Sequence, residues 1–378
     1  MKPAVWIYRI RWWIPVAAAG LMGIGLLGLS RCEDFGDGGP HYLRQQMLWA
    51  TLGMVVMLAA TLPSYRRLCQ WCYLIFALAI LLLAVVYLFR PVNGAHRWLR
   101  IGHFSLQPSE FAKLAFVLVL GRYLMYRENY RRLAGLLIPL GLATVPVLLV
   151  LKEPDLGTAA VFLPVFFVML LVAGARWADL LRVLMVGVAL LPLFWLQMSP
   201  YQKARIEVLL NPPVPGQKPS NAATQLYQAR RMAALGGPWG SVVSGSPTDD
   251  MAVYRLPEDH TDFIFCVLGE RFGLPGLAVV LLLYGLIVWQ TVAVAMATRE
   301  PFGRLLAAGV AALLAVQVLI NTGVTVGLLP VTGLPLPLVS YGGSGLLTHC
   351  LALGLVLNVA LRPGYEVTNE PFRYRVSQ

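Results

Sequence analysis

Residues 133–174 read LAGLLIPLGLATVPVLLVLKEPDLGTAAVFLPVFFVMLLVAG, two long apolar runs parted only by Lys152-Glu153-Pro154-Asp155. A hydrocarbon core of roughly 30 Å is crossed by about 20 apolar residues in a helix, so each run is read as a membrane span and the charged tetrapeptide as the turn between them. Outward from this pair, similar runs recur near 14–30, 47–63, 68–89, 109–126, 178–198, 273–297, 303–329 and 343–361. The pattern predicts an all-α polytopic membrane protein of about ten transmembrane helices. It is read as one membrane domain over 1–378, with a large extracytoplasmic loop over 199–272 between helices 7 and 8 and a cytoplasmic tail over 362–378.

Composition agrees. The chain is 58% hydrophobic and 13% charged, against roughly 25% charged in soluble domains, and its mean hydropathy is +0.68. A soluble enzyme is excluded. The first span follows Arg9 and Arg11 as a signal peptide would, but no small-residue cleavage site comes after it and further spans do, so it is read as retained. Leu29-Ser30-Arg31-Cys32 departs from a lipoprotein cleavage box at the bulky Arg31. The five cysteines are an odd number, and Cys69 and Cys72 have no second Cys or His pair, so neither a disulfide framework nor a zinc site is implied. The formal charge of +12 lies between spans and without a nucleic-acid motif, which points to lipid headgroups and phosphate. The sequence holds no His-Glu-x-x-His and no Gly-x-Ser-x-Gly.

An even number of spans puts both termini on one side. Arg66, Arg67, Arg127, Arg131, Arg132, Arg176, Arg299 and Arg304 fall there, which makes it cytoplasmic by the positive-inside rule. The opposite side receives acidic Glu33, Asp34 and Asp37, but also Arg90, Arg97 and Arg100 in a short connector and Lys203, Arg205, Lys218, Arg230, Arg231, Arg255 and Arg271 in the long loop. The short connector breaks the rule, and either a headgroup-contacting loop or an external anion site accounts for it.

Charges also stand at membrane depth, where each costs about 3 kcal/mol on insertion scales. Glu110 and Lys113 share one helix face and can pair. With Lys152, Glu153 and Asp155 they are expected to line one polar cavity. Asp262 ends a charged loop just before the apolar stretch from Phe263 to Leu268. Desolvation there can raise a carboxyl pKa toward a value suited to proton abstraction, while Thr261 or Asp262 could equally cap the helix that follows. Pro330, Pro335 and Pro337 with Gly327 and Gly333 break a helical pattern ahead of Ser340-Tyr341-Gly342-Gly343-Ser344-Gly345. Such irregular backbone survives at membrane level only when buried or lining a cavity.

Gly94-Ala95-His96-Arg97-Trp98-Leu99 and Gln107-Pro108-Ser109-Glu110-Phe111-Ala112-Lys113 open a series of ordered motifs. Pro154-Asp155-Leu156-Gly157-Thr158 comes next, then Leu256-Pro257-Glu258 through His260-Thr261-Asp262-Phe263-Ile264-Phe265. Leu334-Pro335-Leu336-Pro337 with Ser340-Tyr341-Gly342-Gly343-Ser344 closes it. Across about residues 91 to 345 the set resembles the shape, elongation, division and sporulation family, which includes RodA and FtsW, and its motif spelling leans to the RodA side. Three places depart from the family's pattern: Glu153-Pro154-Asp155 replaces the usual Gln-Pro-Asp, Arg271 follows Glu270 where a second acid is common, and Ala234 to Gly240 strays from a Ser-Gly-Gly pattern.

The resemblance implies a glycosyltransferase that joins lipid II units outside the cytoplasmic membrane of a bacterium, alongside a class B penicillin-binding protein that cross-links the strands. It implies Asp262 as the essential catalytic residue. Arg97, Lys113 and Arg205 are expected to neutralise a departing pyrophosphate and Glu110 to orient Lys113. Trp98 would stack on a sugar or pack against the lipid chain, and Asp155, His260 and Ser340 complete the expected substrate-binding set. A Mg2+ or Mn2+ ion bridging pyrophosphate oxygens is compatible; no metal-ligand set and no organic cofactor are expected. A lipid II flippase and a non-catalytic scaffold for the penicillin-binding protein are the alternatives.

Overall fold

The structure is a computed structural model that describes residues 11–35, 41–89, 96–101, 104–126, 133–210, 221–245 and 260–362. Arg9, Asp37, Arg90, Gly94, Ala95, Arg127, Arg131, Arg132, Lys218, Arg255, the stretch 256–259 and the tail after Arg362 lie outside the described residues.

The membrane helices are α1 (Trp13–Phe35), α2 (His41–Ala59), α3 (Tyr65–Val85), α4 (Pro108–Tyr126), α5 (Leu137–Lys152), α6 (Leu156–Ala173) and α7 (Trp177–Gln197), then α11 (Ile264–Ala297), α12 (Pro301–Val326) and α13 (Gly343–Leu361). Each of the ten expected runs coincides with one of them. Seven are long and apolar enough to cross a membrane by length and composition, and α5 is a shorter apolar helix. Between α7 and α11 lie α8 (Pro200–Leu210), α9 (Asn221–Leu235) and the single turn α10 (Ser241–Ser244).

One element was not expected. Leu99–Ile101 (β1) and Phe104–Leu106 (β2) pair antiparallel, with Leu99 opposite Leu106. The hairpin is too short to show as a repeat of period two, and it delivers the chain into Gln107 and α4.

Helix ends follow local chemistry. Asp155 caps α6 by accepting from the Thr158 amide at 3.0 Å, and α6 and α12 close on left-handed Gly174 and Gly327. Glu300 caps α12, taking the Phe302 amide at 3.0 Å with Pro301 in the first turn. The expected boundary at 273 is a kink rather than a start: α11 begins nine residues earlier, and Gly273 breaks it with φ +64°. A Cβ at Gly273 would stand 2.5 Å from the Gly240 nitrogen, so the chain after α9 lies directly on this bend.

The bundle centres on α12, buried over most of its length and packed by α4, α6, α11 and α13. By contrast, only Asp179 and Leu180 of α7 are buried.

Candidate functional site

A cavity of about 650 Å³ lies at one end of the bundle. Its wall is built by the approach to β1 (Arg97, Trp98), the head of α4 (Gln107, Glu110), Pro154, Ser199 and Arg205 from the start of the long loop, Thr261 to Phe263, the irregular segment 333–342 and the first turns of α13. Six of the nine expected site residues stand on that wall: Arg97, Trp98, Glu110, Arg205, Asp262 and Ser340. Lys113, Asp155 and His260 do not.

Asp262 sits on a turn fixed through three successive carbonyls. His260 O accepts from the Tyr341 amide at 2.9 Å, Thr261 O from the Ser340 hydroxyl at 2.5 Å, and Asp262 O from Asn321 Nδ2 at 3.0 Å. The helix beyond takes Phe263, not Thr261 or Asp262, as its N-cap residue. Across the turn is Gly333 with φ +74°, where a Cβ would lie 3.4 Å from Asp262 Oδ2 and 3.8 Å from Arg205 Nη1. A carboxylate and a guanidinium therefore both lie against Gly333, whose left-handed φ disfavours any side chain there.

The irregular segment is held from several helices. Asn321 of α12 donates to Leu334 O at 2.7 Å, Tyr284 of α11 to Pro337 O, and Gln46 of α2 to Ser340 O at 3.0 Å. Ser340 Oγ also accepts the Leu336 amide at 2.7 Å, so this hydroxyl acts as an internal brace. Burial of Tyr341, with Tyr42 beside it, pushes the Tyr341 phenol pKa up.

The expectation that Glu110, Lys113, Lys152, Glu153 and Asp155 line one cavity is corrected: of the five, only Glu110 lines it. Lys113 stands behind Glu110, its ammonium 2.8 Å from Oε1, with both side chains buried. Asp155 is turned onto α6, holding the Thr158 amide and, at 2.9 Å, its hydroxyl. Lys152 lies over the Tyr87 ring at 5.4 Å, and Glu153 is fully buried with neither carboxyl oxygen hydrogen-bonded among the described residues. Lys113, Asp155 and Lys152 each satisfy a local demand that periodicity and charge alone do not reveal. His260 stacks its ring on Tyr42, 4.6 Å between centroids.

Arg97 donates through Nε to Glu153 O at 3.0 Å and through Nη2 to Pro154 O. This joins the approach to the hairpin with the α5–α6 turn and keeps the guanidinium on the cavity wall.

The structure adds residues to the expected set: Gln107, Ser199, Gln225, Ser344 and His349 on the wall, and Asn321 behind the Asp262 turn. His349 bonds Gly345 O through Nδ1 at 2.6 Å and faces Gln317 Oε1 through Nε2 at 2.9 Å. Its sequence signal was a histidine inside an apolar span, a type of position that tends to be functional. Among the described residues no three of His, Cys, Asp and Glu gather as a metal site. Among the described residues Glu110 and Asp262 are the carboxylates of the cavity wall, and a divalent cation held by these two would draw its other oxygens from a bound ligand and water.

With this geometry in place, comparison with known proteins gives one answer. The cell cycle protein model for FtsW, RodA and SpoVE matches residues 8–363. A probable peptidoglycan glycosyltransferase FtsW of Thioalkalivibrio sulfidiphilus is 38% identical over 92% of this chain and 88% of its own. The peptidoglycan glycosyltransferase RodA of Treponema pallidum is 32% identical over 85% and 90%. A solved chain described under the structural coordination of polymerization and crosslinking by a peptidoglycan synthase complex superposes with a TM-score of 0.80 at 32% identity, covering 94% of this chain and 98% of that one.

Proposed function

The chain belongs to the FtsW, RodA and SpoVE family of cell cycle proteins, and from that membership we propose that it polymerises lipid II into glycan strands at the outer face of the cytoplasmic membrane, with Asp262 as general base. It is a multi-pass bacterial membrane protein and an enzyme of the peptidoglycan glycosyltransferase class. The observation that carries the finer reading is Gly333, against which both the Asp262 carboxylate and the Arg205 guanidinium lie.

In this mechanism the 4-hydroxyl of the acceptor GlcNAc loses its proton to the Asp262 carboxylate as its oxygen attacks the anomeric carbon of the donor MurNAc. The glycosidic bond forms with inversion, the bond to the phosphate oxygen breaks, and undecaprenyl pyrophosphate leaves with the electron pair. Arg205 and Arg97 on the wall supply preorganised positive charge where negative charge develops, while Lys113 behind the wall holds Glu110 in place. A bound Mg2+ or Mn2+ ion would add positive charge to the pyrophosphate, with Asp262 or Glu110 as its protein ligand. The leaving group stays in the membrane by its polyprenyl tail. A class B penicillin-binding protein is the proposed partner that cross-links the product, and cell-wall synthesis during elongation or division is the proposed role.

The test is strand formation from labelled lipid II in proteoliposomes, with and without the penicillin-binding protein, by wild type and Asp262→Asn. Strands from wild type and a loss of about a thousandfold in the variant are expected, with an unchanged melting curve. Equal rates would remove Asp262 as the base. No strands from wild type with its partner present would favour a flippase or a scaffold.

A further inference from the structure

Arg97 owes its place on the cavity wall to two backbone carbonyls, those of Glu153 and Pro154. The side chain of Glu153 itself is fully buried, with both carboxyl oxygens lacking a hydrogen-bond partner among the described residues. Such a group rests most easily in its neutral form. Burial first and Asp155 second push its pKa up to about 8, with Arg97 opposing.

Among the described residues, the charged and titratable groups around it come from four neighbouring segments. Asp155 heads α6, Lys152 ends α5, Tyr87 follows α3 and Arg97 precedes β1. Asp155 is held by Thr158, Tyr87 donates to Leu149 O at 2.5 Å, and the Lys152 ammonium lies over the Tyr87 ring. Of Lys152 and Arg97, Arg97 is the one already bonded to the Glu153 backbone. Arg97 is also the cation whose charge opposes the rise in the Glu153 pKa, and guanidinium-carboxylate pairs are among the stronger charge-assisted contacts.

We propose that Glu153 is a positioning residue for Arg97, which as a neutral acid leaves the guanidinium charge free for an anionic ligand in the cavity and as a carboxylate withdraws it. The inference rests on the polymerase reading, because the pyrophosphate leaving group is what gives the Arg97 charge its task. It also attaches a consequence to this chain's departure from the family's usual Gln-Pro-Asp, since a glutamine cannot ionise.

The measurement is the affinity for undecaprenyl pyrophosphate in lipid nanodiscs, together with KM for lipid II, at about pH 6.5 and pH 9.5, on either side of an acid that titrates near 8. In wild type both weaken about tenfold at the higher pH, the loss expected for one hydrogen-bonded charge. In Glu153→Gln the ratio between the two pH values is close to one. Arg97→Gln, with no charge to withdraw, also gives a ratio close to one, on a weaker affinity throughout. A wild-type ratio near one, or a tenfold ratio surviving in either variant, overturns the inference. A wild type that binds the probe but makes no strands counts against the polymerase reading, while the binding ratio still decides the role of Glu153.

Discussion

Glu110 and Lys113 face each other at 2.8 Å with both side chains buried. Removing one partner of a buried pair leaves an uncompensated charge and costs about 3–5 kcal/mol, whereas replacing both with apolar groups of similar volume can be neutral. Lys113→Met is therefore expected to lower the melting temperature and the yield of folded protein sharply, and adding Glu110→Leu to recover much of both. Heat denaturation of the purified variants decides it; a double variant no better than the single one would show the pair to be needed for more than charge balance. At this scale the sequence was informative wherever a charge met an apolar run. Glu110 and Asp262 stood out in that way, Arg97 stood out by breaking the positive-inside rule, and all three reach the cavity wall. Asp155 and Lys152 stood out equally and do not, because a helix N-terminus and an aromatic ring lay closer than the cavity did.

Among the elements, α11 and α12 do most to place Asp262. The first 10 residues of α11, Ile264–Gly273, form a separate limb ahead of the kink, tied to α1 where Arg31 pairs with Glu270 at 2.9 Å. Asn321 of α12 reaches both Asp262 O and Leu334 O, coupling the turn to the irregular segment. Asn321→Leu keeps the side-chain size and removes both bonds, so a fall of about 10 to 100-fold in kcat with Asp262 still present is the expected outcome. An unchanged kcat in strand synthesis would mean that Ser340 and Tyr341 fix the turn by themselves. The apolar run from 273 announced the part of α11 beyond the kink, but the limb ahead of it carries Glu270 and Arg271 and was read as loop. The hairpin was hidden for a different reason, since strands of three residues are shorter than any periodicity can register.

For the molecule as a whole, the ten helices were legible because lipid imposes one strong rule of length and polarity on every span. How they pack was not, since in lipid the contact between helices depends on shape rather than on an apolar face turned from water. The contrast between α12 and α7 follows from that. Leu306 is 0% exposed and Leu190 is 53% exposed within the bundle, although both lie in apolar runs. Leu306→Ala should destabilise by about 2–5 kcal/mol, and Leu190→Ala by less than about 0.5 kcal/mol; paired melting curves in one detergent test the difference. A similar loss from both would place α7 inside the packed core.

The pair in α4 also bears on how the protein is made. Its two charges are three residues apart on one helix, so they can neutralise each other as that helix leaves the translocon. The helices that later pack against it, α12 and α13, lie at the far end of the chain and need not exist yet. An acid paired only with a base on one of those late helices would have to wait in lipid alone. Carrying its own counter-ion, α4 can enter the bilayer on schedule.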